Sequence, residues 1–343
     1  MKRRTIRYYL ILVLTIMIIL AGCGLETINS DKEYSGQLIV HFLDVGQGDS
    51  IFIQFPNGET ALIDGGTRNS GEKVVKYLKE LNIYFIDYLI ATHPHEDHIG
   101  GLPEVIRNFE IGKVYMPNRT ANTLIFEELL KELKAKDLKI SIAKGGDAII
   151  DKADIKFLIL APNRDDYERT NDFSIVTKIK YKNISFILTG DAEKDSEKDM
   201  LKEDFNLKAD VLKLGHHGSN TSSTIDFLEA VKPDYAIISV GADNSYGHPH
   251  REVLDRMKHI DTEILRTDEL GDIIFKSNGI DLNIEKNKNF IAIKEQLYIG
   301  NKNTKVFHKK DCKSLPNKEN QIIFKSIDEA IDKGYRPHEK CVK

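Results

Sequence analysis

The chain has 343 residues, 41% of them hydrophobic and 30% charged, with a net charge of -4 at pH 7. That is enough apolar material for a large core plus a small appendage, and it sets aside a low-complexity chain or one carried by many membrane spans. Charge is unevenly spread: residues 294–343 hold 12 Lys/Arg against 7 Asp/Glu, so the C-terminal stretch is basic and the remainder acidic.

Lys2, Arg3, Arg4 and Arg7 precede an apolar run at residues 10–20, which has the length of a signal-peptide core and is too short to span a bilayer comfortably. Leu20-Ala21-Gly22-Cys23 follows, and it resembles the lipobox of bacterial lipoproteins. That resemblance implies a signal peptide over residues 1–22, a diacylated Cys23 as the mature N-terminus and a polar tether over residues 23–36. It also implies a lipid-anchored location on the extracellular face of the cell membrane. An uncleaved signal anchor is the alternative, and it too leaves the bulk of the chain outside the cytoplasm.

Apolar runs predict strands at 38–43 and 51–55, separated by the glycine-rich turn Asp44-Val45-Gly46-Gln47-Gly48-Asp49. Pro56-Asn57-Gly58 turns the chain into a strand at 60–63 that ends at Asp64-Gly65-Gly66; a helix at 72–81 and a buried strand at 86–91 follow. Directly after that strand stands Thr92-His93-Pro94-His95-Glu96-Asp97-His98. Three imidazoles and a carboxylate at this density suit zinc or a similar divalent ion. A loop can turn alternate side chains toward two ions where a continuous helix would not, so a two-metal site is expected, with Gly100-Gly101 letting the next helix pack closely.

The same grammar returns later. A strand at 185–188 ends in Thr189-Gly190-Asp191, a helix fits 192–202, and a strand at 209–214 leads into Gly215-His216-His217-Gly218-Ser219. A helix at 222–231, a strand at 235–240, the loop Tyr246-Gly247-His248-Pro249-His250, a helix at 251–258 and strands at 264–267, 272–276 and 280–284 complete the core. Two such halves predict an α/β fold, an αββα sandwich with a site along the edge where they meet. His41 and His259 read as structural or solvated. Polar residues 285–289 read as a linker, which divides the chain into a large metal-site domain at 37–285, a linker at 286–295 and a small C-terminal domain at 296–343.

Three cysteines occur. With Cys23 assigned to lipid, His308 and Cys312 form an HxxxC pair and His338 and Cys341 an HxxC pair, a Cys2His2 set suited to one structural zinc. A disulfide between Cys312 and Cys341 is the alternative. Fewer than fifty residues with little apolar content gain folding energy from such a metal.

HPHEDHIGG, LTGD and GHHGS, in that order, resemble the metallo-β-lactamase superfamily; FLDVGQGDS, NDFS, GHHGSNTSS and YGHPH are similar to its ComEC competence-protein branch, over about residues 38–284. The resemblance implies that His93 and His95 hold one ion, that Asp97 and His98 hold the other, and that Asp191 bridges both. One or both of His216 and His217 would complete the second ion's shell. Asp64 matches a position that orients ligands through hydrogen bonds, although a plain turn aspartate is the other reading. Many of the superfamily's hydrolases add a histidine to the first ion between the cluster and the bridging aspartate, yet no histidine lies between residues 99 and 215. Asn171 and Ser174 stand where the branch looks similar and are expected to hold a water or substrate oxygen near that ion. Residues 298–337 resemble the metal-binding domain of the Ada DNA-repair protein, with His308 and His338 replacing two of its four cysteines. His308 takes the place of the methyl-accepting cysteine, so methyl transfer is not expected.

Two divalent ions, zinc or manganese, imply hydrolysis: bound zinc lowers the pKa of water from 15.7 to about 7, and a second ion stabilises the leaving oxygen. His248 is expected to donate a hydrogen bond to a phosphoryl oxygen or to protonate the leaving group. The expected function is a surface-anchored, metal-dependent phosphodiesterase or nuclease acting on extracellular DNA, in uptake or scavenging, with the basic tail binding phosphates. A cell-wall or small-molecule phosphodiester hydrolase, such as a phosphorylcholine esterase, and a non-catalytic DNA-binding protein are the alternatives. Expected partners are DNA and the membrane, through the lipid on Cys23. No nucleotide cofactor is expected, and oligomeric state is open.

Overall fold

The computed structural model describes residues 36–287, 298–309, 312, 314–324, 330–331, 333–338 and 341–342. The expected leader, Cys23, nearly all of the tether and most of the linker lie outside the described residues. The first half runs β1 (Leu38–Phe42), β2 (Ile51–Gln54), β3 (Thr60–Ile63), α1 (Gly71–Glu80), β4 (Phe85–Ile90), α2 (Glu96–Ile99), α3 (Leu102–Asn108), β5 (Glu110–Met116), α4 (Leu124–Ala135) and β6 (Ile140–Ile142). The second runs β7 (Ala148–Asp151), β8 (Ile155–Ala161), β9 (Val176–Tyr181), β10 (Ile184–Leu188), α5 (Lys194–Lys202), β11 (Val211–Lys213), α6 (Ile225–Val231), β12 (Tyr235–Ile238), α7 (Arg251–His259), β13 (Glu263–Arg266) and α8 (Thr267–Leu270). A closing hairpin, β14 (Asp272–Ser277) and β15 (Leu282–Asn287), follows.

Two mixed sheets result, ordered β15-β14-β1-β2-β3-β4-β5-β6 and β13-β12-β11-β10-β9-β8-β7. Their strands read as continuous apolar runs because both faces are covered. In β2, Ile51 and Ile53 enter the core between the sheets while Phe52 meets the helices; in β10, Phe186 and Leu188 point inward while Ile187 meets the other helical layer. Phe275 joins the two sheets, with Phe42 at 5.9 Å and Phe186 at 5.7 Å between ring centres. This is the αββα sandwich. Each half begins antiparallel and turns parallel: β1 to β3, then β3 to β6; β8 to β10, then β10 to β13. The parallel strands therefore end together, and the loops after β3, β4, β10 and β11 share one edge.

Three boundaries differ from expectation. The expected linker begins inside β15, which pairs with β14 as far as Asp272 opposite Asn287, because the open edge of β14 offers backbone hydrogen bonds whatever the side-chain polarity. The helix expected from residue 222 starts at Ile225, since the Glu197 carboxylate accepts the N–H groups of Ser223 and Thr224 and keeps them out of the helix. α5 starts two residues late because Glu193 is extended and committed elsewhere. Residues 110–181, for which sequence predicted no elements, supply β5 to β9 and α4.

The C-terminal stretch forms its own sheet from β16 (Tyr298–Asn301), β17 (Val306–Lys309), β18 (Gln321–Phe324) and β19 (Arg336–Pro337), ordered β18-β16-β17-β19. Its core of Tyr298, Phe307, Phe324, Ala330, Tyr335 and Val342 is small, the situation in which a metal adds most.

His41 is structural. It is buried on β1, where the Tyr77 hydroxyl donates to Nδ1 at 2.8 Å and Nε2–H donates to Gln54 at 3.1 Å. Burial, against a smaller upward pull from the Gln54 hydrogen bond, lowers its pKa to about 4. The unfolded chain then takes up a proton near pH 6.5 that the folded chain refuses until about pH 4. His41 stabilisation is complete above pH 6.5 and is lost on acidification through that window, on the order of 3 kcal/mol. Urea unfolding at pH 7 and pH 4 should show that loss, and His41→Asn should reduce it; parallel pH profiles would refute the assignment.

Candidate metal centre

Asp64, at the end of β3, is fully buried in the left-handed region at φ 58°. Its carboxylate accepts the Thr92 N–H at 2.8 Å, the Thr92 hydroxyl at 2.7 Å and Nδ1–H of His98 at 2.7 Å. After β4 the chain is extended through His95 and then helical over Glu96–Ile99, so Asp97 and His98 lie on a helical turn where a loop was expected. The turn serves the same end, because consecutive helical side chains diverge by about 100°. The glycine-rich turn after β1 packs on this helix: a Cβ at Gly48, φ 134°, would sit 2.2 Å from the Asp97 carbonyl oxygen. Asp49 N–H donates to that same oxygen at 3.2 Å.

From the other half come Asp191 after β10 and His216 and His217 after β11. Both histidines are left-handed, at φ 50° and 54°, strain of the kind that gathers at functional sites. Asp191 is buried at the centre. Its Oδ1 lies 3.2 Å from His98 Nε2 and 3.5 Å from His217 Nε2; its Oδ2 lies 3.8 Å from His93 Nε2 and 3.8 Å from His216 Nε2. Asp97 Oδ2 lies 3.2 Å from His217 Nε2, and the ligand atoms of Asp97, His98, Asp191 and His217 all fall within 4.8 Å of one another. His93 Nε2 and His95 Nδ1 face each other at 3.0 Å.

The donor chemistry fits a divalent ion. His98 Nδ1–H is spent on Asp64 and His217 Nδ1–H on the Ser239 carbonyl at 2.9 Å, so Nε2 is the nitrogen that each ring turns to Asp191 and Asp97, as a lone pair toward an ion or as an N–H in its absence. His98 Nε2 and Asp191 Oδ1 are buried and have no hydrogen-bond partner among the described residues. Two acceptors at 3.2 Å repel unless a proton or a metal cation stands between them. The same demand shows in the titration of His98: burial opposes its charge, but the carboxylates of Asp191, Asp97 and Asp64 outweigh burial and hold its pKa well above the ordinary value. Burial likewise opposes ionisation of Asp97, yet His98 and His217 keep its carboxyl below the usual range. His93 stays neutral, through burial and the neighbouring His98.

The remaining expected residues take distinct places. Ser174 is fully buried and its hydroxyl accepts the Asp191 N–H at 3.1 Å, so it positions the loop. The Asn171 amide donates to Glu193 at 2.9 Å. His248 lines a cleft of about 330 Å³ with Gln47, His95, Asp97, Asp191, His216, His217 and Tyr246. His250 accepts the Asn220 N–H at 3.0 Å through Nδ1, which holds its loop.

Sequence reasoning missed Asp49, Lys213 and Glu193. Lys213 has no exposure and lies 2.7 Å from Asp49 Oδ2, and it donates to the carbonyls of Gly190 at 2.9 Å and Leu214 at 3.1 Å. It thus ties the Asp191 loop, the His217 loop and the glycine-rich turn together. A lysine inside the apolar run Val211-Leu212-Lys213-Leu214 was the available signal, since a buried cation needs a partner.

In the C-terminal sheet, His308, Cys312, His338 and Cys341 bring ligand atoms within 4.8 Å of one another. Sulfur-to-nitrogen separations are 3.5 and 3.8 Å for Cys312 and 3.2 and 3.9 Å for Cys341. Zinc bonds of 2.3 Å to sulfur and 2.0–2.1 Å to nitrogen give tetrahedral edges of about 3.6 Å, which these straddle.

Removing one member of a buried ion pair costs about 3 to 5 kcal/mol. Lys213→Met should lose that much in urea unfolding, and pairing it with Asp49→Asn should restore part of the loss. A single-variant loss below about 1 kcal/mol would show that the pair does not hold the loops.

Residues 43–242 match the family model of the metallo-beta-lactamase superfamily, and residues 285–343 match the metal binding domain of Ada. The chain is 34% identical over 254 residues to ComE operon protein 3 of Bacillus subtilis (strain 168), covering 69% of this chain and 33% of that one. It is 31% identical over 234 residues to Competence protein ComA of Neisseria gonorrhoeae, covering 68% and 31%. With Recombination protein 2 of Haemophilus influenzae it shares 29% over 239 residues, covering 68% and 28%. The chain therefore spans about a third of the length of these relatives. With its donor set at one strand edge, this chain belongs to the metallo-beta-lactamase superfamily, in its ComEC-like branch, and carries an Ada-like metal-binding domain.

Proposed function

We propose that the centre holds two divalent ions and hydrolyses phosphodiester bonds in DNA outside the cell, and that lipid on Cys23 keeps the chain at the membrane surface. Asp191 carries this reading: one buried carboxylate turns each of its oxygens to a different set of imidazoles, at the floor of a cleft. Bound divalent ions supply charge for the phosphoryl oxygens and acidify water at neutral pH. Asp97, His98, Asp191 and His217 would hold one, and His93, His95 and Asp191 the other.

Exposure of the rim favours a polymer. His95 and Glu96 are exposed and Tyr246 is 65% exposed, whereas small-molecule sites enclose most of their ligand. Tyr246 stacks on His248, with ring centres 5.7 Å apart, and offers a flat face beside the centre. Burial, with His216, His217 and His250 beside it, lowers the pKa of His248 to about 4, so at neutral pH it is an uncharged hydrogen-bond donor to a phosphoryl oxygen and not an imidazolium acid. The competence proteins among the relatives support DNA as the substrate class, and the basic residues 294–343 support phosphate contact by the C-terminal domain.

The soluble form starting at Gly24 should cut end-labelled single- or double-stranded DNA when zinc or manganese is added. Asp97→Ala and Asp191→Ala should abolish cutting, and Asp64→Ala should weaken metal binding or activity by about 10- to 100-fold. Intact DNA beside turnover of a wall polymer or a small phosphodiester would move the substrate class instead. Deleting residues 296–343 should lower DNA affinity and flatten its dependence on salt; an unchanged slope would remove the C-terminal domain from DNA binding.

A further inference from the structure

We propose that His216 is a ligand of the ion held by His93 and His95, and that the Glu193 carboxylate is the group that orients it. This rests on the two-ion reading above and moves to the first ion a residue that the sequence resemblance offered, alone or with His217, to the second.

The geometry separates the tandem histidines. His217 Nε2 lies 3.2 Å from Asp97 Oδ2 and 3.5 Å from Asp191 Oδ1, in company with His98. His216 Nε2 lies instead 3.8 Å from Asp191 Oδ2, the oxygen that His93 Nε2 approaches at the same distance. The left-handed backbone at both residues throws their side chains to opposite sides of Asp191, with ring centres 6.1 Å apart. Zinc bonds to nitrogen and oxygen of about 2.0–2.2 Å give tetrahedral edges near 3.4 Å; the 3.0 Å between His93 and His95 and the two separations of 3.8 Å lie on either side of that value, although this set as a whole converges less closely than Asp97, His98, Asp191 and His217, whose ligand atoms all fall within 4.8 Å of one another.

Three of the inward-facing imidazoles have their rings held from behind. Asp64 holds His98, the Ser239 carbonyl holds His217, and the Thr92 hydroxyl accepts from His93 Nδ1 at 3.1 Å. His216 follows the same rule, with Nδ1 3.3 Å from Glu193 Oε1 and 3.2 Å from the Thr221 hydroxyl. Glu193 is itself buried and fixed by Arg169 and by the Asn171 amide at 2.9 Å. Asn171 Nδ2 also lies 3.4 and 3.5 Å from the two ring nitrogens of His216, so it does not choose between them. A carboxylate behind an imidazole whose other nitrogen faces a shared carboxylate is the arrangement of a metal ligand. It also accounts for the lack of any histidine between residues 99 and 215: the third imidazole comes from a tandem pair.

The test is metal binding. In the full chain in detergent, with the C-terminal domain first saturated with zinc, Mn2+ stoichiometry and the paramagnetic resonance spectrum should report two ions in magnetic contact. His216→Ala should weaken one ion by about 10- to 100-fold or more and leave the spectrum of a single isolated ion, and Glu193→Gln should weaken that same ion by about 10- to 100-fold. His217→Ala should affect the other ion. Two ions of unchanged affinity in His216→Ala, or loss of both in a variant with native circular dichroism, overturns the assignment while the two-ion reading stands. A parent chain holding a single ion overturns both. Should His216→Ala fail to fold, unchanged binding in Glu193→Gln overturns the proposal.

Discussion

Negative charge gathered at one sheet edge sets the terms for the rest of the molecule. Asp49, Asp64 and Asp191 are almost wholly buried there, with Asp97 beside them, and each buried carboxylate costs several kcal/mol unless positive charge or donors meet it. Lys213 is one fixed answer, for Asp49. The donors around Asp64 are another. Asp191 and Asp97 have neither in sufficient measure, and the imidazoles facing them turn Nε2 inward with their outer nitrogens engaged. The unmet demand is for a cation, and the fold holds its donors apart to receive one.

The sandwich makes that arrangement possible. Parallel strands in each half end at the same edge, so loops more than a hundred residues apart in sequence come together without any one of them being long. Helices cover both outer faces, and the aromatic contacts of Phe275 fasten one sheet to the other. Such a scaffold can sustain left-handed backbone at Asp64, His216 and His217, where each residue gives up of order 1 to 3 kcal/mol. The deep members of the set, Asp64, His93, His98 and Asp191, are sealed, while His95, Tyr246 and part of Asp97 face solvent.

Two metal-binding sets of different character coexist. The Cys2His2 cluster accompanies a sheet whose core among the described residues is six side chains, a size at which a bound metal would add folding energy. The site at the sandwich edge rests instead on the large core between and outside the two sheets. Their separation along the chain was visible from composition, because the apolar runs end near residue 284 and lysines dominate afterward.

What the amino-acid sequence determined by itself was local and dense. Strands with both faces apolar, glycine turns, the six-residue crowd from His93 to His98 and the HxxxC and HxxC pairs are legible because each signal lies within a few neighbouring residues. The stretch from 110 to 181 was not legible: strands such as Val176–Tyr181 alternate lysine with apolar residues, and β6 is only three residues long, too short to carry a period. The short helix at Glu96–Ile99 was hidden for a related reason, since four residues carry no periodicity. Only the tertiary structure decided that Lys213 faces Asp49, that Ser174 supports the Asp191 backbone, and that Glu193 stands behind His216. Those relations join residues from different strand ends, and sequence spacing holds no information about which side of a shared carboxylate each imidazole will meet.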